Sequence, residues 1–139
     1  MHARSAHSVV TAGGALYALA GSGAGGAPVL EVERFDGRTW SIVARLPGAG
    51  LNAPAAAVIG DRIYVIGGFN GVSNVPTDQV HVFDVGRNEW SEAARLPAPR
   101  GGHAAVVLDG RIHVFGGGND RATLAAHTVY DTATDSWAE

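Results

Sequence analysis

Residues 21–26 read Gly-Ser-Gly-Ala-Gly-Gly, which matches the G-x-G-x-x-G pattern of phosphate-cradling loops. That chemistry needs a helix that begins at the last glycine, because the N–H groups of its first turn bind the anion. Here Pro28 follows closely, and the stretch from Val29 to Phe35 is typical of a strand. We therefore interpret these glycines as a loop between two strands.

Arginine and histidine recur at one spacing, in Arg4-Ser-Ala-His7 and Arg100-Gly-Gly-His103. Guanidinium groups bind carboxylates bidentately, so Arg4 and Arg100 together could bind acidic peptides or carboxylates. Alternatively, these arginines cap strand ends or pair with aspartates nearby. A metal would need further ligands close to the histidines, and nothing in the sequence indicates them. We expect His7 and His103 to be structural and no metal to be bound.

Motifs of covalent or metal-assisted catalysis are absent: the sequence has no G-x-S-x-G, no H-E-x-x-H and no P-loop. It also has no cysteine, which excludes disulfides and thiol chemistry. Asp36, Asp84 and Asp131 recur at one repeat position, as turn residues do. We predict neither a catalytic residue nor a cofactor.

Composition limits the class of protein. The chain has 139 residues, 46% of them hydrophobic and 17% charged, as expected of one globular domain. A net charge of −3 argues against nucleic acid as a partner, and no apolar run approaches a membrane span. Without a convincing signal peptide or cysteines, the sequence slightly favours the cytoplasm over export.

The chain consists of three copies of one unit. Three segments align: GGALYALAG (13–21), GDRIYVIGG (60–68) and DGRIHVFGG (109–117). All three tryptophans, Trp40, Trp90 and Trp137, share one repeat position, and Arg45-Leu46-Pro47 recurs as Arg95-Leu96-Pro97. A period of about 50 residues indicates a repeat architecture.

Each unit contains four short runs that favour strands, in unit two Ala55–Ile59, Ile63–Ile66, Val80–Asp84 and Glu89–Ala93. No segment has a helical period, so we predict an all-β fold of four antiparallel strands per unit. The predicted boundaries of the units are 1–50, 51–99 and 100–139.

Three histidines occupy other repeat positions. His113 replaces Tyr17 and Tyr64 in the second strand, and His127 aligns with the core positions Val32 and Val80. His81 aligns with Glu33 and Thr128, which predicts a polar face of the sheet. We expect structural roles for all three histidines.

The pattern of the units resembles the Kelch repeat. Its parts, in order, are a strand ending in Gly-Gly, a variable loop, a strand ending in Tyr/Phe-Asp, then Trp and Leu-Pro. The resemblance covers essentially the whole chain and implies a β-propeller of four-stranded blades. The first unit departs from it, with Ala20-Gly21 in place of the glycine doublet.

In the Kelch family, partners usually bind at one mouth of the central channel. The resemblance places two kinds of loop there, which we call the mouth loops. Those between the second and third strands are 22–29, 69–77 and 118–126, and those between units are 4–7, 49–53 and 98–103. Polar residues in them are the candidate ligands of a partner: Arg4, His7, Asn52, Asn70, Asn74, Arg100, His103, Asn119, Asp120 and Arg121.

Kelch propellers usually have six or seven blades, so three blades would leave two faces uncovered. Two chains around a two-fold axis would supply six, and we therefore predict a homodimer that closes a six-bladed ring. The competing interpretation is that these residues are a piece of a longer chain.

The leading functional hypothesis is a binding scaffold for a protein or peptide. A small-molecule enzyme with its site at the mouth, like the Kelch-related mutarotases and cyclases, is one alternative. The other is a purely structural half-propeller, because fold alone does not determine function.

Overall fold

A computed structural model describes all 139 residues, and nearly all regular structure in it is β-strand. The one helical element is a single 3₁₀ turn, Ala24–Gly26, in the first mouth loop. No helix in the structure has the length and apolar character needed to cross a membrane. The all-β prediction is confirmed.

Fourteen strands follow one another along the chain. In order they are β1 (Ser8–Ala12), β2 (Ala15–Leu19), β3 (Glu31–Phe35), β4 (Trp40–Arg45), β5 (Leu51–Asn52), β6 (Ala55–Ile59), β7 (Arg62–Ile66), β8 (Phe69–Asn70), β9 (Val80–Asp84), β10 (Glu89–Ala93), β11 (Ala104–Leu108), β12 (Arg111–Phe115), β13 (His127–Asp131) and β14 (Ser136–Ala138). In unit two, three of the four predicted strands have the predicted bounds, and β7 begins one residue earlier, at Arg62.

The strands form three four-stranded antiparallel sheets, which we call blades 1, 2 and 3. Their orders are β1-β2-β3-β4, β6-β7-β9-β10 and β11-β12-β13-β14, so each blade is a meander. The short strands β5 and β8 pair separately, among the mouth loops. Four-stranded antiparallel sheets of this kind are consistent with Kelch blades.

The blades pack face to face, and this packing explains why strand β7 in the middle blade is apolar at successive positions. Ile63 and Val65 lie in the core shared with blade 1, whereas Tyr64 and Ile66 lie in the core shared with blade 3. Successive side chains of a strand point to opposite faces, and here both faces are covered. The strand is therefore apolar throughout and does not alternate.

The first strands of the blades, β1, β6 and β11, lie beside one another and line an open apolar groove of about 510 Å³. Beyond it, the far faces of blades 1 and 3 have no neighbour within these residues. Large apolar side chains are exposed on these uncovered faces: Val9 and Ile42 on blade 1, and Val106, Leu108 and Phe115 on blade 3.

The glycine doublet marks the end of each second strand. Gly67 and Gly116 have φ values of +59° and +65°, in the left-handed region that favours glycine. Ala20 adopts φ +63° at the same repeat position. The backbone path is therefore kept in blade 1 although its sequence has lost the glycine.

Two backbone hydrogen bonds repeat at each junction between blades. One joins the end of a second strand to the next mouth loop, and the other joins successive mouth loops. The four bonds are Gly21 N to Leu51 O (2.7 Å), Gly68 N to Arg100 O (2.8 Å), Ala53 N to Ala6 O (2.8 Å) and Gly102 N to Ala53 O (2.9 Å).

Candidate functional site

The two kinds of mouth loop meet at one edge of the blades. Ser5 and Ser22 exchange backbone hydrogen bonds of 2.9 Å, and the Ser22 hydroxyl bonds to the Asn52 side chain. In blade 2, the Gly71 N–H donates to the Gly50 carbonyl at 2.9 Å. The structure thus brings together loops that are distant in the sequence.

Arg4 lies inside blade 1, with its side chain fully buried. Its guanidinium donates to the carbonyls of Ala20 and Glu31, both at 3.1 Å, and to the Glu33 carboxylate at 2.5 Å. Burial raises the pKa of Glu33, but hydrogen bonds from the His2 N–H and from Arg4 outweigh it, so this pKa lies below its usual value.

Arg100 lies at the equivalent place in blade 3, buried to 1% exposure. Its guanidinium donates to the carbonyls of Gly116 and Ala126, both at 3.3 Å. The strand-capping interpretation describes the contacts of both arginines, and neither guanidinium faces the surface of the mouth loops. Their part in ligand binding stays a prediction.

His7 and His103 share a repeat position but not an environment. His7 is exposed, whereas His103 is buried at the junction of blades 2 and 3, and neither of its ring nitrogens has a hydrogen-bond partner. Burial, with the Arg100 charge nearby, lowers the pKa of His103 to about 4. His103 is therefore neutral at physiological pH.

Two asparagines shape the mouth loops. Asn70 Oδ1 accepts the N–H groups of the residues two and three positions later, both at 2.9 Å, and Asn119 Oδ1 does the same. Such turns hold a loop without a sheet partner. Asn74 ends the Asn70 turn in a left-handed conformation, with φ +58°.

An open groove of about 370 Å³ lies between the mouth loops of blades 2 and 3, and we call it the loop groove. Prolines and a valine form its apolar part, and an amide, a carboxylate and a guanidinium form its polar part. The lining residues are Val75, Pro76, Pro99, Asn119, Asp120 and Arg121. Of the predicted residues it unites Asn119, Asp120 and Arg121, whereas Arg4 and His7 lie on blade 1.

The other histidines show what repeat alignment misses. His81 is buried to 7% exposure, not on a polar surface as predicted, because its face of β9 packs against blade 1. His113 and His127 face the uncovered side of blade 3 with ring nitrogens 3.0 Å apart, and Phe115 stacks on His127. Only the register of β12 with β13 reveals this pair.

No group of three or more His, Asp or Glu side chains lies close enough together to hold a metal ion. Among the titratable groups with shifted pKa values, Glu33 and His103 are buried in a blade and in a blade junction. Asp36, whose pKa is lowered by hydrogen bonds from backbone N–H groups, lies in an exposed turn. They do not line the loop groove.

Comparison with known families assigns this arrangement. The model of the "KLHDC2/KLHL20/DRC7 Kelch-repeats domain" matches residues 1–139. The chain belongs to the Kelch-repeat family. The resemblance drawn from the glycine doublets and tryptophans is thereby confirmed.

Kelch proteins of animals are similar to this chain. Kelch-like protein 23 of Pongo abelii is 34% identical over 142 residues, covering 100% of this chain and 24% of that protein. Kelch-like protein 35 of Mus musculus is 34% identical, covering 81% and 19%. The Rab9 effector protein with kelch motifs of Bos taurus is 33% identical, covering 73% and 28%. The chain thus spans less than a third of the length of these relatives.

Proposed function

We propose that this Kelch-repeat chain is a protein-interaction scaffold that binds a segment of a partner at the loop groove. The observation that carries the proposal is the groove itself. It joins an apolar floor of Val75, Pro76 and Pro99 to the polar Asn119, Asp120 and Arg121. Apolar contact area with a few polar groups is the composition of a peptide-binding surface.

The partner class follows from the family and from the groove's shape. One relative is named as an effector of Rab9, which describes an action on another protein. The groove is open and carries one carboxylate and one guanidinium, those of Asp120 and Arg121, beside its apolar part. We infer a protein or peptide partner and not a small substrate.

The test is selection of displayed random peptides on the immobilised chain, followed by affinity measurements with variants. We expect Arg121→Ala to weaken the selected peptides roughly tenfold, about 1.4 kcal/mol. The matched control is Arg87→Ala, an exposed arginine in the β9–β10 turn, outside the loop groove. Failure to enrich any peptide, or equal binding by both variants, would contradict the proposal.

We further propose that a second copy covers the uncovered faces and completes a six-bladed ring. The two hydrogen bonds of each junction have unpaired counterparts at the ends of the arc: Gly117 N and Gly102 O on blade 3, and Arg4 O and Ala6 N on blade 1. A second copy supplies the complementary partner for each. Exposed Phe115 and Leu108 on blade 3 supply apolar area for the same contact.

Light scattering tests this closure. We expect twice the 14.2 kDa of one chain for the 139 residues, and a return to 14.2 kDa for Phe115→Glu. Val72→Asp is the control, since Val72 is an exposed apolar residue on a mouth loop and not on an uncovered face. A mass of one chain for the unaltered protein would overturn the dimer and favour further blades of a longer chain.

A further inference from the structure

One repeat position distinguishes blade 2 from its sister blades. Arg4 and Arg100 occupy it in blades 1 and 3, and each caps two carbonyls at the ends of the second and third strands. Leu51 stands there in blade 2. The carbonyls at the two aligned positions of blade 2 belong to Gly67 and Gln79, and no arginine of this chain reaches them.

A cavity of about 260 Å³ lies at this place in blade 2, and we call it the Leu51 pocket. Its wall includes Leu51, Gln79 and His81, which align with Arg4, Glu31 and Glu33. In blade 1, Glu31 and Glu33 accept hydrogen bonds from the buried Arg4 guanidinium. The pocket therefore borders one of the two aligned carbonyls, that of Gln79, at the place where blade 1 holds an arginine.

Two acceptors of the pocket are the His81 ring and the Glu92 carboxylate. Its other polar side chains, those of Asn70, Thr77 and Gln79, can donate as well as accept. His81 is 7% exposed and makes no hydrogen bond within the chain. Burial lowers the pKa of His81, with Glu92 opposing and Arg95 assisting, so the neutral ring offers an acceptor nitrogen.

The charged side chains around the pocket determine whether it favours a positively or a negatively charged ligand. Glu92 lies directly across from His81 in the β9–β10 register and lines the pocket as its one charged residue. Arg95 pairs with Asp78 at 2.7 Å and is not part of the lining. Acceptors with one carboxylate suit a planar cation that carries several N–H donors.

We propose that the Leu51 pocket binds an arginine side chain of the partner protein, whose guanidinium takes the place that Arg4 and Arg100 occupy in the sister blades. The proposal deepens the interaction function and rests on it only in assigning the arginine to a partner protein. Pro47 and Gly48, exposed residues just before the mouth loop 49–53, also line the pocket, so a bound partner can reach it.

The first experiment titrates the chain with N-acetyl-arginine amide and follows backbone amide resonances by NMR. We expect saturable shifts for Gln79, His81 and Glu92. N-acetyl-citrulline amide has the same shape without the charge, and it should bind at least tenfold more weakly. Equal binding of the two compounds, or shifts located elsewhere, would overturn the proposal.

The second experiment places an arginine of this chain in the pocket by substitution. Leu51→Arg restores the residue of the sister blades, so we expect a folded protein that binds the arginine amide at least tenfold more weakly. Glu92→Gln should weaken binding severalfold, and Glu89→Gln, on the same strand outside the pocket, is its control. If Leu51→Arg folds and binds the arginine amide as tightly as the unaltered chain, the proposal is wrong. If Leu51→Arg does not fold, unchanged binding by Glu92→Gln contradicts the proposal.

These outcomes separate the pocket from the interaction function. Binding of the arginine amide with no peptide enriched on the unaltered chain would support the pocket and contradict the scaffold. Peptides that need Arg121 but bind equally to Leu51→Arg would support the scaffold and contradict the pocket as a partner site.

Discussion

At the scale of single residues, the environment and not the residue type decides the role. Arg4, for which the sequence allowed either ligand binding or strand capping, is a buried cap. His7 and His103 share a repeat position but differ in burial. Each difference arises because a neighbouring segment of the chain buries one side chain and leaves the other exposed. Two predictions concern such buried polar groups.

Stability should fall as the pH is lowered from 7 to 5. Protonation of His103 is harder in the folded chain, where its pKa is about 4, than in the unfolded chain, so the unfolded chain binds the proton first. The free energy of unfolding then decreases from about pH 6.5 downward, by roughly 3 kcal/mol at pH 4. Urea unfolding across this range measures the slope.

The variant His103→Asn should reduce that slope without abolishing it, because burial also lowers the pKa of His81. The exposed His7 at the same repeat position provides the control, His7→Asn. An unchanged slope in His103→Asn, or an equal reduction in His7→Asn, would contradict this assignment.

The tryptophans allow a second test at this scale. Trp137 Nε1 donates to the Ala94 carbonyl at 2.8 Å and ties blade 3 to blade 2, whereas Trp90 Nε1 is buried without a partner. Replacement of each by Phe removes similar apolar area but only one hydrogen bond. Trp137→Phe should cost about 1 kcal/mol more than Trp90→Phe in urea unfolding; equal losses would show that the bond contributes nothing.

At the scale of elements, the positions of the strands were predictable from the sequence, but the residues that pack on each face of the strands were not. The bounds of β6, β9 and β10 follow from the repeat alignment, since apolar runs between turn residues specify a strand locally. The burial of His81 and the capping by Arg4 depend on contacts that the alignment of repeats does not describe. The candidate site was therefore predicted as a set of loops, and the side chains that form the loop groove emerged only from their packing.

A pair of glycines separates backbone strain from close packing. Gly60 and Gly67 both have φ +59°, but a Cβ on Gly60 would meet nothing, whereas one on Gly67 would lie 2.6 Å from the Arg100 carbonyl oxygen. Gly60→Ala should cost about 1 kcal/mol for the left-handed backbone. Gly67→Ala should cost a further 1–3 kcal/mol or so for displacing the blade junction. Equal costs in urea unfolding would refute the packing argument.

At the scale of the whole molecule, stability and assembly become one quantity if a second copy completes the ring. The uncovered faces carry Phe115 and Leu108 exposed, and association would bury them. The melting temperature should then rise with protein concentration, by about 2 °C for each tenfold increase. Phe115→Glu should remove this dependence and Val72→Asp should keep it, both measured by circular dichroism.

If two copies close a ring, the unpaired groups at the ends of the arc also limit how the chain can evolve. Blade 1 ends in Arg4 O and Ala6 N, and blade 3 in Gly102 O and Gly117 N, so the two ends are complementary and unlike. Contacts between unlike surfaces repeat without limit unless the rotation per copy closes a circle. A substitution that changes the angle between blades could thus turn a closed ring into a filament. In a chain that closes a ring in this way, selection would act on the geometry of the blade junctions, because the chain must avoid polymerisation as well as unfolding.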